Sequence, residues 1–128
     1  MNLVKEVMST DILAVAPGAT IAETATVMGT RGVGSALVMD GDTLVGIFTE
    51  RDALRAVASD FGAAQHPVTQ FMTPAPATTR PDTSTREALD IMLERGFRHL
   101  PVIEGDRVIG MVSLRDLTAS LERELGRE

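Results

Sequence analysis

An internal repeat with a 64-residue period constrains the fold of this chain more than any other feature of its sequence. Residues 8–52 align with residues 72–116 without a gap, and twelve of the aligned positions are identical. The period is too long, and the copies too few, for a solenoid. We therefore expect one supersecondary unit built twice, over residues 1–62 and 63–128, with the copies packed about a pseudo-two-fold axis and a cleft between them.

Composition narrows the class of protein. The 128 residues are 44% hydrophobic and include no cysteine, which predicts a compact module without disulfides or thiolate metal sites. A net charge of −6 and only four aromatic residues argue against nucleic-acid binding. The sequence has neither a membrane-length apolar stretch nor a signal-peptide core near its start, so we expect a soluble cytoplasmic protein that binds no membrane.

Both copies carry the same order of secondary-structure signals. A hydroxyl residue followed three positions later by glutamate marks a helix start, and a glycine marks its end. Two short strands around an acidic-Gly turn follow, and then a second helix. The signals are Thr20/Glu23 and Ser84/Glu87, Gly32 and Gly96, and strands over 36–39, 44–48, 100–103 and 107–112. With an extended segment before each first helix, each unit reads strand–helix–strand–strand–helix, an α+β fold.

One motif at the start of the second helix could carry chemistry. It has the form Gly-x-x-Thr/Ser-x-x-Asp and comprises Gly46, Thr49 and Asp52 in one copy and Gly110, Ser113 and Asp116 in the other. The hydroxyl and carboxylate can simply cap the helix. The same atoms suit a ligand, because helix amides bind phosphate, a carboxylate accepts from ribose hydroxyls, and glycine allows close approach. The residue types alone leave both interpretations open.

An ordered set of short motifs resembles a cystathionine β-synthase (CBS) domain. It comprises Met72-Thr73-Pro74, Pro81-Asp82, Glu87-Ala-Leu, Gly96, Leu100-Pro101-Val102, Gly105, Gly110 and Ser113-x-x-Asp116. Because the unit is repeated, residues 3–120 resemble a tandem CBS pair, or Bateman module. The resemblance implies β-α-β-β-α units and a regulatory, energy-sensing protein that binds AMP, ATP, NAD or S-adenosylmethionine in the inter-repeat cleft.

The resemblance also implies roles for individual residues. Asp52 and Asp116 would bind the ribose, and Thr49 and Ser113 would face phosphate or ribose. Arg98 and His99 would point at the phosphates. The base would meet two segments, mainly through backbone: Leu13, Ala14 and Val15, and Ala77, Thr78 and Thr79. In the first copy Gly34-Ser35 stands where the second has Arg98-His99, and Leu37 stands where it has Pro101, so the two clefts are expected to differ.

These features lead to one hypothesis and one alternative. Few cations are available per cleft, so we expect an AMP-like monophosphate as a regulatory ligand, with no required cofactor. We expect no enzyme, because no nucleophile–base pair, catalytic residue or metal-ligand cluster is recognisable. A homodimer with four repeats in a disc would signal to an unidentified regulated protein. In the alternative, the chain is a ligand-free oligomerisation or docking scaffold whose motif residues only cap helices.

Overall fold

The computed structural model describes residues 2–126, which form two compact units. The middle unit is Ile12–Pro76, and the terminal unit joins Met1–Asp11 to Ala77–Glu128. The terminal unit thus combines two parts of the chain that are distant in sequence. The division of the repeats at residues 62 and 63 stays a prediction about the sequence, since the compact units are divided differently.

The sequence helix–strand–strand–helix occurs in both units. In chain order the elements are α1 (Val4–Val7), β1 (Ala14–Val15), α2 (Ile21–Arg31), β2 (Ser35–Asp40), β3 (Thr43–Thr49), α3 (Glu50–Ser59), two 3-10 turns (Phe61–Gln65 and Val68–Gln70), β4 (Thr73–Pro74), α4 (Thr85–Arg95), β5 (His99–Glu104), β6 (Arg107–Ser113) and α5 (Leu114–Gly126). The four predicted hairpin strands are present and slightly longer than expected, whereas the extended segment before α4 forms only a single bridge. The α+β fold with two repeats is confirmed.

The middle unit contains a four-stranded sheet in the order β1-β2-β3-β4. Strand β1 runs parallel to β2, and the other neighbours are antiparallel. The helices bury their apolar faces in one hydrophobic core, which holds Leu13, Ile21, Met28, Ala36, Val38, Phe48, Ala56, Ala63 and Val68. This core fixes the strand-to-helix junction at Thr49.

The terminal unit repeats this arrangement with hairpin strands of the same length, but its two outer strands are reduced to single bridges. The β5–β6 hairpin is flanked by single bridges, from Thr79 to Val102 in parallel and from Ser9 to Met111 in antiparallel orientation. These bridges stand 64 residues from the Val15–Val38 and Thr73–Ile47 pairs of the middle unit. Its core holds Val4, Ala88, Met92, Leu100, Val102, Val112 and Leu117.

A proline explains why the segment before Pro81 forms a bridge rather than a strand. In the middle unit, the Leu37 N–H donates to the Leu13 carbonyl at 2.9 Å. Pro101 occupies the position of Leu37 and has no N–H, so the corresponding bond to Ala77 does not form. Pairing of this segment with β5 is therefore reduced to two bonds of Thr79. Its N–H donates to the Pro101 carbonyl at 2.9 Å, and its carbonyl accepts from the Ile103 N–H at 2.8 Å.

The helix caps follow the sequence pattern. Thr20 and Glu23 exchange both bonds of a capping box, at 2.9 and 3.0 Å. Gly32 and Gly96 end their helices in the left-handed conformation, with φ of 66° and 73°. A side chain there would be strained, which is why glycine stands at both positions. No helix among residues 2–126 combines the length and apolarity that a membrane crossing requires.

Candidate functional site

In the middle unit, Thr49 and Asp52 form a reciprocal cap at the start of α3. The Thr49 N–H donates to Asp52 Oδ2 at 2.9 Å, and the Asp52 N–H donates to Thr49 Oγ1 at 3.3 Å. The Thr49 hydroxyl lies 3.1 Å from the same Oδ2. The side chain of Asp52 is almost fully buried. The capping interpretation of this motif is therefore correct for the first copy, because Thr49 and Asp52 hydrogen-bond to each other at the start of α3.

The second carboxylate oxygen of Asp52 is also engaged. Arg55 Nη1 lies 3.0 Å from Asp52 Oδ1, one helical turn further along α3. The arginine side chain is 59% exposed, whereas the aspartate side chain is 3% exposed. A buried carboxylate requires such a partner, because an unpaired buried charge is strongly destabilising. Both oxygens of Asp52 are thus bound within the unit itself.

The terminal unit contains the same cap, but the second carboxylate oxygen of its aspartate has a different environment. The Ser113 N–H donates to Asp116 Oδ2 at 2.9 Å, and the Asp116 N–H donates to Ser113 Oγ at 3.1 Å. The residue that corresponds to Arg55 is Ala119, which carries no donor in its side chain. Within residues 2–126 no donor reaches Asp116 Oδ1, and the residue is only half-buried. One acceptor oxygen of Asp116 is therefore available.

The structure brings Arg98 and His99 to the same helix start. The Leu114 N–H, at the first position of α5, donates to the Arg98 carbonyl at 2.8 Å. His99 is paired directly with Ser113 across the β5–β6 hairpin. The Arg98 side chain is exposed, and His99 is half-buried. The backbone of Arg98, the start of α5 and the half-buried residue Asp116 thus lie together in one unit.

The middle unit has the same backbone geometry without the cation. The Glu50 N–H donates to the Gly34 carbonyl at 3.1 Å, and Ser35 pairs with Thr49. The positions of Arg98 and His99 are therefore filled by Gly34 and a buried Ser35. The expected difference between the two copies is present in side-chain chemistry while the backbone is the same.

The two predicted base-contacting segments lie beside the second strand of their units. Ala14 and Val15 form β1 itself, and the Leu13 carbonyl is bound by the Leu37 N–H. In the terminal unit, Thr79 is bonded to the β5 backbone, whereas Ala77 has no donor opposite it at Pro101. The exposed Thr78 lies between them.

Thr79 has an unusual side chain for a buried position. It is 4% exposed, and its hydroxyl has no hydrogen-bond partner within the described residues. The first copy has Val15 at this place, which fills the volume without a polar atom. A buried hydroxyl without a partner costs about 1–3 kcal/mol. This cost makes Thr79 a candidate for a group that a ligand satisfies.

The glycine of the motif has a role that the sequence interpretation missed. A Cβ placed on Gly110 would lie 2.6 Å from Met8 Sδ and 3.0 Å from the Ser9 carbonyl oxygen. Gly46 has the same relationship to Met72 and Thr73. The close approach that we expected for a ligand is occupied by the neighbouring segment of the chain. Met8 and Met72 are the residues that require both glycines.

One difference between the copies was readable in the sequence but not recognised, and a second, Leu37 against Pro101, was recognised without its consequence for hydrogen bonding. Arg55 is replaced by Ala119, and Leu37 by Pro101, and each change removes a donor from the terminal unit. Comparing the copies at the position three residues after each motif aspartate would have revealed the first. Among residues 2–126 no group of three or more His, Cys, Asp or Glu side chains is arranged to hold a metal ion.

Comparison with protein-family models gives two matches. The model described as CBS domain matches residues 4–59 and again residues 68–123. Among curated relatives, the CBS domain-containing protein YhcV of Bacillus subtilis is 30% identical over 120 residues, which cover 94% of this chain and 86% of YhcV. Both repeats and almost the whole chain are therefore matched.

Solved structures give the same result. A CBS-domain containing protein from Agrobacterium tumefaciens superposes with a TM-score of 0.89 at 30% identity, and the match covers 94% of this chain and 99% of that one. CBSX2, solved in complex with AMP, superposes with a TM-score of 0.83 at 25% identity over 97% of this chain and 99% of its own.

Proposed function

Because this chain belongs to the CBS-domain family, we propose that it senses an AMP-like adenine nucleotide and signals its occupancy to a partner protein. The chain is a regulatory module and not an enzyme. Nucleotide-type ligands are supported at the family level by the AMP complex of CBSX2. The identity of the ligand and the residues that bind it are our proposal for this protein.

The carboxylate of Asp116 carries the proposal. Its Oδ2 holds the start of α5, while Oδ1 has no donor from residues 2–126. An ionised carboxylate oxygen accepts strongly from the adjacent hydroxyls of a ribose, and hydrogen bonds to charged groups contribute about 1.5–3 kcal/mol. We therefore assign Asp116 to the ribose, with Ser113 beside it.

Arg98 and the start of α5 supply the phosphate contacts in this proposal. The helix offers a positive dipole end, and Arg98, whose backbone carbonyl accepts from the Leu114 N–H, adds an exposed guanidinium. Charge-assisted bonds are roughly twice as strong as neutral ones. One cation favours a monophosphate over a triphosphate. His99 is assigned to the same end, and Ala77, Thr78 and Thr79 to the base.

Signalling requires that the ligand bind two arrangements of the protein with different affinities. We propose a homodimer, as in a disc of four repeats, as the unit whose arrangement changes. A groove of about 390 Å³ in the middle unit is lined by residues of α2 and α3, including Gly29. The corresponding residue of the terminal unit, Leu93, is 67% exposed. Leu93 of one copy filling the groove at Gly29 of another would bury both.

The proposal is tested by calorimetry and thermal shift with AMP. The chain contains no tryptophan or tyrosine, so a co-purified nucleotide would dominate its absorbance near 260 nm. AMP at a hundred times its Kd should stabilise the folded protein by about 2.7 kcal/mol. Asp116→Asn keeps an oxygen for the cap and removes the charge, and should weaken AMP roughly 10- to 100-fold.

A matched substitution separates ribose binding from general charge effects. Asp106 is exposed in the β5–β6 turn, so Asp106→Asn should bind AMP as the wild type does. If neither AMP nor another adenosine compound binds the wild-type protein, the nucleotide hypothesis fails and the scaffold alternative is favoured. In that case both variants would change stability alone, without any ligand response.

A further inference from the structure

The two repeats differ in whether their ligand-facing atoms are already bound within the chain. In the middle unit, Arg55 occupies Asp52 Oδ1 at 3.0 Å, and the Leu37 N–H occupies the Leu13 carbonyl at 2.9 Å. In the terminal unit, alanine and proline stand at the two donor positions, as Ala119 and Pro101. The same two acceptors are therefore satisfied in one copy and open in the other.

We propose that Arg55 is an internal competitor for the ribose, which closes the first repeat to nucleotide and leaves one ligand site per chain, in the second repeat. This inference rests on the proposed function and adds its stoichiometry and the residue that sets it. In this proposal Arg55 donates a hydrogen bond to Asp52 Oδ1, the oxygen to which a ribose hydroxyl would otherwise donate.

Burial supports the closed state of the first repeat. Asp52 is 2% exposed, so a ribose would have to displace Arg55 before it reached either carboxylate oxygen. The displaced ion pair would leave a guanidinium beside the ligand without its partner. Asp116 is half-buried and makes only the cap bonds with Ser113, so a ribose meets Oδ1 without displacing any described residue.

The remaining polar groups follow the same division. Thr79 carries a buried hydroxyl without a partner in the described chain, where the first repeat has Val15. Arg98 supplies a cation where the first repeat has Gly34. Four pairs of equivalent positions thus show the same trend. The second repeat has polar groups that are unpaired or additional, whereas in the first repeat the equivalent groups are paired or absent.

Reciprocal substitutions test the inference by isothermal titration calorimetry of the full chain with AMP and with adenosine. The wild type should bind one AMP per chain. Ala119→Arg places a guanidinium three residues after Asp116, as Arg55 stands after Asp52, and should weaken AMP at least tenfold. Ala119→Gln, which has a long side chain without the charge, is the matched control and should weaken AMP less than threefold.

Arg55→Ala should open a second site. Because Gly34 provides no cation there, the new site should bind adenosine and AMP with equal affinity, whereas the original site prefers AMP. Circular dichroism of each variant verifies that it is folded. Two AMP molecules per wild-type chain, unchanged AMP binding by Ala119→Arg, or a folded Arg55→Ala protein that still binds one adenosine would each overturn the inference.

The failure of the inference is distinguishable from that of the proposed function. A wild type that binds one or two AMP molecules but is indifferent to residue 119 retains the nucleotide function and loses the role of Arg55. A wild type that binds no adenosine compound loses both. If AMP binding is weakened in A119R and a second site appears in R55A, the results support both the nucleotide function and the role of Arg55.

Discussion

Met8 packs against the backbone of Gly110 so closely that a single added methyl group would lie 2.6 Å from the methionine sulfur. Met72 and Gly46 repeat this relationship in the other unit. Glycine at this position of the Gly-x-x-Thr/Ser-x-x-Asp motif is therefore favoured by the packing of a neighbouring chain segment.

Gly110→Ala should destabilise the terminal unit. The methyl group meets the Met8 side chain and the Ser9 carbonyl oxygen, and overpacking of this kind costs about 1–3 kcal/mol. Urea denaturation measures the loss. Gly18→Ala is the control, because an added Cβ there has no neighbour within 4 Å, and it should change stability by less than about 0.5 kcal/mol. Equal effects of both substitutions would contradict the packing argument.

Arg98→Ala should separate phosphate binding from nucleoside binding. Loss of the guanidinium removes a charge-assisted bond, so AMP affinity should fall roughly tenfold or more while adenosine affinity stays unchanged. Calorimetry with both ligands measures the difference. Arg107→Ala removes an exposed cation from the other end of the β5–β6 hairpin and should leave both affinities intact. Equal losses for AMP and adenosine in Arg98→Ala would show that Arg98 does not contact the phosphate.

Thr79→Val should raise the free energy of unfolding and lower the affinity for AMP. The valine keeps the volume and removes a buried hydroxyl without a partner, which gains about 1 kcal/mol. AMP affinity should fall if the hydroxyl donates to the ligand. Thr85 is the matched control, since its hydroxyl is also buried without a partner in the described residues and it lies outside the site. Thr85→Val should stabilise similarly and leave AMP binding unchanged; an AMP response that is the same in both variants would exclude a ligand role for Thr79.

The capping box of α2 should contribute stability that depends on pH. The Thr20 backbone N–H, and then its side chain, lower the pKa of Glu23 in the folded protein. A carboxylate with a lowered pKa stabilises the folded state above its unfolded pKa, near 4.3, and loses this contribution as the pH falls through the folded pKa. Glu23→Gln should therefore be less stable than the wild type at pH 7, and the two should converge in acid.

Urea denaturation measured at steps of about one pH unit, from pH 3 to pH 7, follows this convergence. Glu94→Gln, at an exposed position of α4, should follow the wild type throughout. A stability difference for Glu23→Gln that is independent of pH would contradict the electrostatic explanation and leave only the geometry of the cap.

Leu93→Glu should shift the proposed homodimer to monomers. The leucine is 67% exposed on α4, and a charge there would have to be buried in the groove at Gly29. Light scattering after size exclusion measures the mass as a function of concentration. Glu94→Lys changes charge at the adjacent exposed residue and should leave the mass unchanged. A dimer that persists in Leu93→Glu would place the contact elsewhere.

The fold was largely predictable because the signal for each helix and strand occurs in both copies of the repeat. The capping boxes, the glycines Gly32 and Gly96 and the acidic-Gly turns all depend on local backbone chemistry, which the sequence states directly. The pairing of Ser9 with Met111 was not predictable. It joins positions far apart in the chain, and no periodicity or turn residue signals such a contact.

The capping motifs were predictable from the sequence, but the different hydrogen-bond partners of their two carboxylates were not. The resemblance identified Asp52 and Asp116 as equivalent, and the cap geometry is indeed the same in both. Their difference depends on Arg55, whose ion pair with Asp52 appears only once side chains are placed. The role of Pro101 was equally hidden, because a missing N–H matters only where its acceptor is known.

The terminal unit combines two segments that are far apart in the chain, and this separation sets an order for its folding. The Val4 N–H donates to the Thr83 carbonyl, so this contact must wait until residues beyond 83 have been synthesised, whereas every contact of Ile12–Pro76 is complete earlier. Closing so long a loop carries an entropic cost that shorter loops avoid. During synthesis the middle unit can thus form while Val4 and Met8 are still without their partners, and the terminal unit, which we propose to bind nucleotide, forms after it.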